Sequence, residues 1–249
     1  MNIKDAFFLG LIQGIAEWLP ISSSGHLAIF HNIYGLKGNI SFDIFLHISS
    51  LFVIIIFFQK DIRELLNVIL KRDFDSYNFK LILYISYATV ITGIIGFLLR
   101  QYIEGITKEY LPYTYLFTSF LLFLSARKRV QQKIDIKRAL FIGFMQSVAL
   151  LPGISRSGAT ISAAKITGVE EGEAFRFSFL LAIPAILGAV VLEIKEFERI
   201  PLQILIAGFF TSFFVGFVSL WFLKRIVSKD KIYMFGFYTL VVAIVLFIL

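Results

Sequence analysis

Long apolar runs alternate with short charged segments along the whole chain. A helix needs roughly 20 apolar residues to cross the hydrocarbon core of a bilayer. Six runs approach that length, at 42–59, 81–100, 112–126, 174–192, 202–223 and 233–249. Lys, Arg and acidic residues gather in the gaps between them. The pattern predicts an all-α membrane protein with six transmembrane helices.

Two further apolar segments are interrupted in the middle. Residues 3–33 are broken around Pro20 and residues 137–167 around Pro152. In each, the helical stretch before the break and the shorter one after it are too short to cross comfortably. Irregular backbone at membrane depth is tolerated only where it is buried in protein or lines a wet cavity. We therefore expect both segments to be re-entrant helical hairpins.

The two broken segments match each other at a constant offset of 133 residues. Eight of 18 ungapped positions are identical, so that Phe8, Gly10, Gln13, Ala16, Ile21, Ser22, Ser24 and Gly25 fall on Phe141, Gly143, Gln146, Ala149, Ile154, Ser155, Ser157 and Gly158. Three spans separate the hairpins, and because three is odd the second copy is inverted. The sequence thus predicts one membrane domain, 1–249, built from inverted units at about 1–130 and 134–249, with a site where the breaks meet.

Composition and charge support this reading and exclude others. The chain is 58% hydrophobic and only 16% charged, whereas soluble domains carry about 25% charged residues. The net charge is +7, and the basic residues lie between the apolar runs, which indicates a role in membrane orientation rather than in nucleic-acid binding. The segments 60–80, 127–138 and 224–231 hold fifteen basic residues against six on the other side. By the positive-inside rule the first side is cytoplasmic, and both termini and the base of the first hairpin lie outside.

Two features that the sequence lacks limit its possible chemistry and its processing. The chain has no cysteine, which excludes disulfides, thiolate catalysis and Cys-ligated metal centres. Gln13 and Glu17 interrupt the first apolar stretch and no small-residue cleavage site follows, so we expect the N-terminal segment to be retained rather than removed as a signal peptide.

The first break carries a carboxylate, hydroxyls and an imidazole. Gln13 and Glu17 share one helix face, and a carboxylate at membrane depth is costly without a partner or water. Glu17 is either a functional group or an interfacial residue beside Trp18. The run Ser22-Ser23-Ser24-Gly25 either only caps the next helix or also forms an anion site. His26, in the first turn of that helix, is either a general acid or base or a structural residue.

The second break adds a cation. Arg156 lies between Ser155 and Ser157 at another helix start, and a guanidinium suits bidentate phosphate binding. The alternative is a structural ion pair between Arg156 and Glu17. Together the breaks predict a phosphate site, and a carboxylate among phosphate binders suggests a bridging divalent cation such as Mg²⁺. Asp43 and His47, one turn apart, either support the site or only anchor their helix.

At these residues the sequence resembles the undecaprenyl-diphosphate phosphatase family, the integral-membrane type linked with bacitracin resistance. The resemblance is carried by Gln13-Gly14-Ile15-Ala16-Glu17 with Leu19-Pro20, by Ser22-Ser23-Ser24-Gly25-His26, and by the arginine loop Pro152-Gly153-Ile154-Ser155-Arg156-Ser157-Gly158-Ala159-Thr160. Phe42-Asp43 and Leu46-His47 also resemble the family. The resemblance covers essentially the whole chain, in order.

The resemblance implies hydrolysis of a C55 polyprenyl diphosphate to the monophosphate on the outer face of the cytoplasmic membrane, which recycles the lipid carrier for peptidoglycan and other wall polymers. It implies that Glu17 serves metal binding or acid–base work, Ser23 is the nucleophile or a phosphate ligand, His26 is the general base and Arg156 clamps phosphate. The expected substrate-binding set is Gln13, Ser22, Ser24, Gly25, Ser155, Ser157, Gly158 and Thr160, with Mg²⁺ or Ca²⁺ as cofactor. Many members have Glu at the position of Gln13, which puts a two-carboxylate metal site in doubt here.

One alternative to the enzyme stays open on the sequence, and a second is not favoured. Inverted repeats with broken helices are also transporter features, so a polyprenyl-phosphate flippase is the second hypothesis. A structural scaffold would not explain Glu17, His26 and Arg156 at membrane depth. Small residues that would allow helices to pack either within the chain or between two copies, as in a homodimer, are Gly93, Gly96, Gly188, Gly208 and Gly216.

Overall fold

The computed structural model describes residues 1–34, 40–104, 108–126, 131–193 and 200–248. Within these ranges the chain is all-helical, with eleven α-helices, a 3₁₀ turn at Lys108–Tyr110, and no strand beyond one isolated bridge between Gln132 and Val169. Several basic residues that contribute to the predicted charge asymmetry, at positions 37, 127–129, 195 and 199, lie outside the described residues.

The helices fall where the apolar pattern places them. The first half contains α1 (Ile3–Ala16), α2 (Ser23–Ile33), α3 (Ile40–Phe57), α4 (Gln59–Leu70), α5 (Tyr77–Glu104) and α6 (Leu111–Leu124). The second contains α7 (Ile136–Val148), α8 (Arg156–Ile166), α9 (Glu171–Glu193), α10 (Leu202–Val227) and α11 (Met234–Ile248). The broken segments are the pairs α1/α2 and α7/α8.

Three helices, α5, α9 and α10, are long and apolar enough to cross a bilayer within the described residues, and α3 with α4 would be a fourth span bent by 73°. The apolar helices α6 and α11 have only 14 and 15 residues. At 1.5 Å per residue they are shorter than the roughly 30 Å hydrocarbon core. Large apolar side chains such as Phe97, Val218 and Ile248 are more than half exposed, as expected of a surface that faces lipid.

Helix α4 corrects the interpretation of residues 60–80 as a loop. Its four charged residues, Lys60, Asp61, Arg63 and Glu64, interrupt the apolar pattern, so α4 contains no long apolar run. The apolar residues Ile62, Leu65, Leu66 and Ile69 nevertheless recur at helical spacing. A short amphipathic helix of this kind suits an interface between lipid and water.

Close helix packing fixes the positions of the two broken segments. Helix α1 packs along α10, α7 packs along α5, and α3 lies against α9 and α10. A Cβ added to Gly14 would lie 2.8 Å from the Ser212 carbonyl oxygen, and one added to Gly143 would lie 2.6 Å from Ala88 Cα. These glycines therefore allow backbone-to-backbone contact, which brings the breaks into the protein interior.

Candidate active site

Each break ends in a serine that caps the following helix. The Ser22 hydroxyl accepts from the Gly25 amide at 3.3 Å, and the Ser155 hydroxyl accepts from the Gly158 amide at 3.1 Å. The turns themselves differ. Ser22 takes a positive φ of 68° in the first break, whereas Gly153 takes a φ of 91° in the second. The predicted cap at Ser22 is confirmed, and Ser155 caps α8 in the same way.

The two breaks contact each other directly. The Ser157 hydroxyl donates to the Trp18 carbonyl at 3.0 Å, across 139 residues of sequence. A Cβ on Gly158 would come within 3.2 Å of Pro20 Cβ. The start of α8 therefore lies against the turn that follows α1, and side chains from both breaks share one interior space.

Glu17 is the centre of that space. Its side chain is buried, with 8% of the residue exposed, so the interpretation of Glu17 as an interfacial residue is wrong. Oε1 accepts from Arg156 Nη2 at 3.0 Å, and Oε2 accepts from Ser23 Oγ at 2.7 Å. Three residues that the sequence singles out thus meet, and the carboxylate is neutralised by the guanidinium.

Gln13 and His47 complete the surroundings of the carboxylate. Gln13 Nε2 donates to Glu17 Oε2 at 3.2 Å and to Ser50 Oγ at 3.3 Å. His47 Nε2 lies 3.7 Å from the same Glu17 oxygen. His47 therefore belongs to the site itself, not only to the anchoring of α3.

One guanidinium nitrogen of Arg156 has an unused hydrogen-bond donor among the described residues. Its guanidinium lies over the Phe179 ring, 5.5 Å from the centroid. Nη2 is used by Glu17, whereas Nη1 is buried and has no hydrogen-bond partner among the described residues. A buried donor without an acceptor costs about 1–3 kcal/mol. An anion beside the Glu17–Arg156 pair would remove that cost.

The remaining predicted ligands lie at the starts of α2 and α8. Ser24 is exposed and lies 3.3 Å from the Ser22 hydroxyl, and Ser155 and Ser157 form a similar 3.3 Å pair. Gly25 is packed under the Tyr115 ring. Thr160 bonds the Arg156 carbonyl at 2.8 Å and Ser178 at 2.6 Å. A phosphate contact from Thr160 stays a prediction, since its hydroxyl already bonds within α8 and joins α8 to α9 through Ser178.

His26 does not bond to Glu17, Ser23 or Arg156 in the described part of the chain. Its Nδ1 lies 2.7 Å from the Ser22 carbonyl and 2.9 Å from the Tyr115 hydroxyl, and its Nε2 lies 2.8 Å from the Tyr238 hydroxyl. A carbonyl only accepts, so Nδ1 carries the hydrogen and Nε2 accepts from Tyr238. A general-base role for His26 stays a prediction, and it requires Tyr238 to move aside.

Asp43 turns its carboxylate away from the Glu17 cluster. Oδ2 lies 3.3 Å from His31 Nε2, while the Asp43 carbonyl accepts from His47 Nδ1 at 2.8 Å. Asp43 thus orients His47 through its backbone and ties α3 to α2 through its side chain.

Several residues that contact the candidate site are not predicted by the sequence pattern. Tyr115 and Tyr238 come from α6 and α11, where aromatic residues look like ordinary membrane material. Ser50 lies one turn beyond His47, and its spacing with Asp43 and His47 is the only local cue that it faces the same way. Thr118 donates to the Gly153 carbonyl at 3.3 Å and accepts from the Ser155 amide at 3.2 Å.

The described side chains supply only part of the set of ligands that a divalent cation needs. Among the described residues there is no cluster of three His, Cys, Asp or Glu side chains that could hold a metal. Glu17 and His47 are close together, and Gln13 Oε1 is buried without a hydrogen-bond partner in the same described set. Hard divalent cations are often held by one or two carboxylates plus substrate phosphates, and these residues suit that mode.

Comparison with known proteins points in one direction. The family model for the bacitracin resistance protein BacA matches residues 6–245. The chain is 39% identical to an undecaprenyl-diphosphatase of Protochlamydia amoebophila, over 98% of this chain and 97% of the relative. It is 38% identical to one of Treponema denticola (96% and 94%) and 35% identical to one of Korarchaeum cryptofilum (98% and 98%).

Proposed function

The chain belongs to the bacitracin resistance protein BacA family, and on that premise we propose that the cluster of Glu17, Ser23 and Arg156 is its active site. The protein is a multi-pass membrane enzyme that hydrolyses undecaprenyl diphosphate to the monophosphate and inorganic phosphate. The observation that carries the site is the meeting of the two breaks at one buried carboxylate, which receives hydrogen bonds from Arg156 at 3.0 Å and Ser23 at 2.7 Å.

Arg156 binds the diphosphate. Its free Nη1 donates to a phosphoryl oxygen, and its position at the start of α8 adds the positive end of the helix dipole. The same guanidinium faces charge that builds up on the transferred group during phosphoryl transfer, where positioning and electrostatics supply most of the rate. Ser155 lies at the same helix start, and its hydroxyl hydrogen, which is directed toward Ser157 Oγ, suits a remaining phosphate oxygen. A phosphate contact from Ser157 requires its hydroxyl to leave the Trp18 carbonyl.

Ser23 is the nucleophile that this geometry favours. Its hydroxyl already donates to Glu17 Oε2, so Glu17 accepts the proton as Ser23 Oγ bonds to the terminal phosphorus. The anhydride P–O bond breaks and undecaprenyl monophosphate leaves with its electron pair. Water then attacks the phosphoserine, and Glu17 returns a proton to Ser23 as phosphate departs. Direct attack by a water activated by His26 is the alternative.

A divalent cation, Mg²⁺ or Ca²⁺ by resemblance, would be held by Glu17 and by phosphate oxygens of the substrate. When bound, such a cation neutralises phosphate charge and raises the electrophilicity of phosphorus. Gln13 Nε2 faces Glu17 and its amide oxygen lacks a partner among the described residues, so a rotation of the amide by 180° would let that oxygen join the cation.

The membrane arrangement is part of the proposal. Six spans and two re-entrant hairpins form one domain in the cytoplasmic membrane, and the site opens toward the outer face. Equivalent packing of the two halves supports the inverted repeat, because α1 lies along α10 as α7 lies along α5. Gly10 meets Gly208 and its counterpart Gly143 meets Ala88. The larger basic charge of segments 60–80, 127–138 and 224–231 supports the orientation.

Self-association is a further part of the proposal. Gly208 and Gly216 are used inside the chain, where α1 and Trp18 contact them. Gly93 and Gly188 lie on exposed faces, with no atom of the described residues within 4 Å of an added Cβ. A homodimer would use these faces.

Phosphate release tests the proposed function. Purified protein in detergent should release inorganic phosphate from a C55 diphosphate in the presence of a divalent cation, and Arg156→Ala should lower the rate by about 10²–10³. A flippase is not favoured, because the relatives named above are named for hydrolysis. Lipid movement between the leaflets without phosphate release would favour the flippase instead.

The nucleophile has its own test. Ser23→Ala should abolish activity, and wild type quenched in acid after brief exposure to labelled substrate should carry label on Ser23. Ser24→Ala is the matched control, because Ser24 is the exposed neighbour and does not contact Glu17. Full activity in Ser23→Ala would eliminate the covalent route.

A further inference from the structure

Three helices deliver polar groups to one oxygen atom of Glu17. Within 3.7 Å of Oε2 lie Ser23 Oγ at 2.7 Å, Gln13 Nε2 at 3.2 Å and His47 Nε2 at 3.7 Å. Ser23 and Gln13 belong to the first broken segment, whereas His47 comes from α3. The role of His47 is not explained by phosphate binding or by attack of Ser23.

The tautomer of His47 is fixed by its own helix. Nδ1 lies 2.8 Å from the Asp43 carbonyl oxygen, which can only accept, so Nδ1 carries a hydrogen. In the neutral ring, Nε2 then presents a lone pair beside a carboxylate oxygen. Two such electron-rich atoms repel each other unless a cation or a proton lies between them. A histidine that binds metal through one nitrogen usually donates its other N–H to a carbonyl or carboxylate, as His47 does.

Gln13 provides an independent sign of a missing partner. The residue is fully buried and its Oε1 has no hydrogen-bond partner among the described residues. Rotating the amide by 180° would place this oxygen toward Glu17 Oε2 and let it accept from Ser50. The amide oxygen would then face the same point as the carboxylate oxygen and His47 Nε2.

The second hairpin offers an internal comparison. Gln146, which aligns with Gln13, is buried, donates to Thr92 at 3.1 Å and also has an amide oxygen without a partner in the described chain. Leu150 replaces the carboxylate there. An unpartnered amide oxygen alone is therefore not a metal site, and the combination with a carboxylate and an imidazole occurs at Gln13.

We propose that His47 Nε2 is a direct ligand of the divalent cation at Glu17, with Gln13 Oε1 as a third protein ligand and phosphate oxygens filling the other positions. The inference rests on the proposed function, because it concerns the cation of that reaction. An imidazole ligand in place of a second carboxylate favours first-row transition-metal ions over Mg²⁺ and Ca²⁺, and among those ions Mn²⁺ is the one that also suits carboxylate, carbonyl and water oxygens. We therefore expect this protein to bind Mn²⁺ at least tenfold more tightly than Mg²⁺.

Electron spin-echo spectroscopy of bound Mn²⁺ tests the ligand directly. Purified protein loaded with Mn²⁺ should show ¹⁴N modulation from one imidazole, and growth with ¹⁵N-histidine should replace it with the ¹⁵N pattern. His47→Gln should abolish the histidine signal and weaken Mn²⁺ binding at least tenfold. His26→Gln is the matched control, because it removes the other imidazole near the breaks and should keep the signal.

The outcomes separate this inference from the proposed function. Phosphate release from a C55 diphosphate is measured on the same preparations. Active wild type whose Mn²⁺ spectrum is unchanged by ¹⁵N-histidine would overturn the His47 ligand and leave the function standing. A histidine signal that persists in His47→Gln and vanishes in His26→Gln would also overturn it. The isotope experiment needs no variant, so a poorly folded His47→Gln does not affect the test.

Discussion

At the scale of single residues, the two matching breaks supply different groups to the proposed site. The offset of 133 aligns Glu17 with Leu150 and Ser23 with Arg156. The first break therefore supplies the carboxylate and the hydroxyl, and the second supplies the cation. In the proposed function the two breaks therefore form one site together, because each supplies groups that the other lacks.

The Glu17–Arg156 pair allows structure and catalysis to be separated. Removing one partner of a buried ion pair typically costs about 3–5 kcal/mol, because the other charge is left unpaired, whereas replacing both is often nearly neutral. We expect Arg156→Met to lower the thermal midpoint strongly and the Glu17→Gln/Arg156→Met double variant to recover most of it. Neither variant should release phosphate at more than about 1% of the wild-type rate.

A partly exposed ion pair provides the control for this experiment. Arg176 on α9 contacts Asp61 on α4 at 2.6 Å, with both side chains partly exposed. Arg176→Met should cost about 1 kcal/mol or less and should keep phosphate release. Substantial activity in the double variant would show that the Glu17–Arg156 pair only holds the fold together.

At the scale of helices, small residues determine how deep the breaks lie. Gly14 faces the backbone of α10, where an added Cβ would meet the Ser212 carbonyl oxygen at 2.8 Å and the Gly216 nitrogen at 3.0 Å. Backbone atoms cannot rotate away as a side chain can. Any side chain at Gly14 must therefore push α1 from α10 and move Gln13 and Glu17 with it.

We expect Gly14→Ala to lower stability by about 1–3 kcal/mol, as overpacking of a close contact does, and to reduce phosphate release as well. Gly93→Ala is the control in the middle of α5, where an added Cβ meets nothing within 4 Å among the described residues. It should be neutral or slightly stabilising, because alanine favours a helix more than glycine does. Thermal midpoints in one detergent provide the comparison, and equal values would contradict the packing argument.

At the scale of the whole molecule, the proposed inverted repeat predicts that the two hairpins open to opposite faces of the membrane. The prediction can be tested simply, because the chain has no cysteine. Lys4 and Lys137 are exposed, lie 133 residues apart and mark the bases of the two hairpins. Their side chains should therefore lie on opposite sides of the membrane.

We expect Lys4→Cys to react with an impermeant maleimide in intact cells and Lys137→Cys to react only after the membrane is opened. Each variant serves as the control for the other, since both positions are exposed at a helix start and differ only in side. Labelling of both from the same side would contradict the inverted repeat, while leaving the contacts between the breaks unaffected.

The sequence by itself determined the apolar helices, the two Pro-centred breaks with the Ser22 cap, and the placement of Glu17 and Arg156 at those breaks. These are local consequences of hydrophobic run length, backbone restriction and the cost of charge in lipid. The choice of Ser23 among the neighbouring serines came from the family resemblance and stays a prediction. The sequence pattern did not predict α4, because the charged residues of an amphipathic helix interrupt any long apolar run.

Only the tertiary structure decided which imidazole stands beside Glu17. His26 is closer in sequence to the serines, yet Ser22, Tyr115 and Tyr238 bond its ring, whereas His47 reaches Glu17 from another helix. The aromatic partners of His26 resemble lipid-facing residues until α6 and α11 are packed together. Such contacts depend on how helices distant in sequence are rotated and spaced, and no local pattern of residues encodes that geometry.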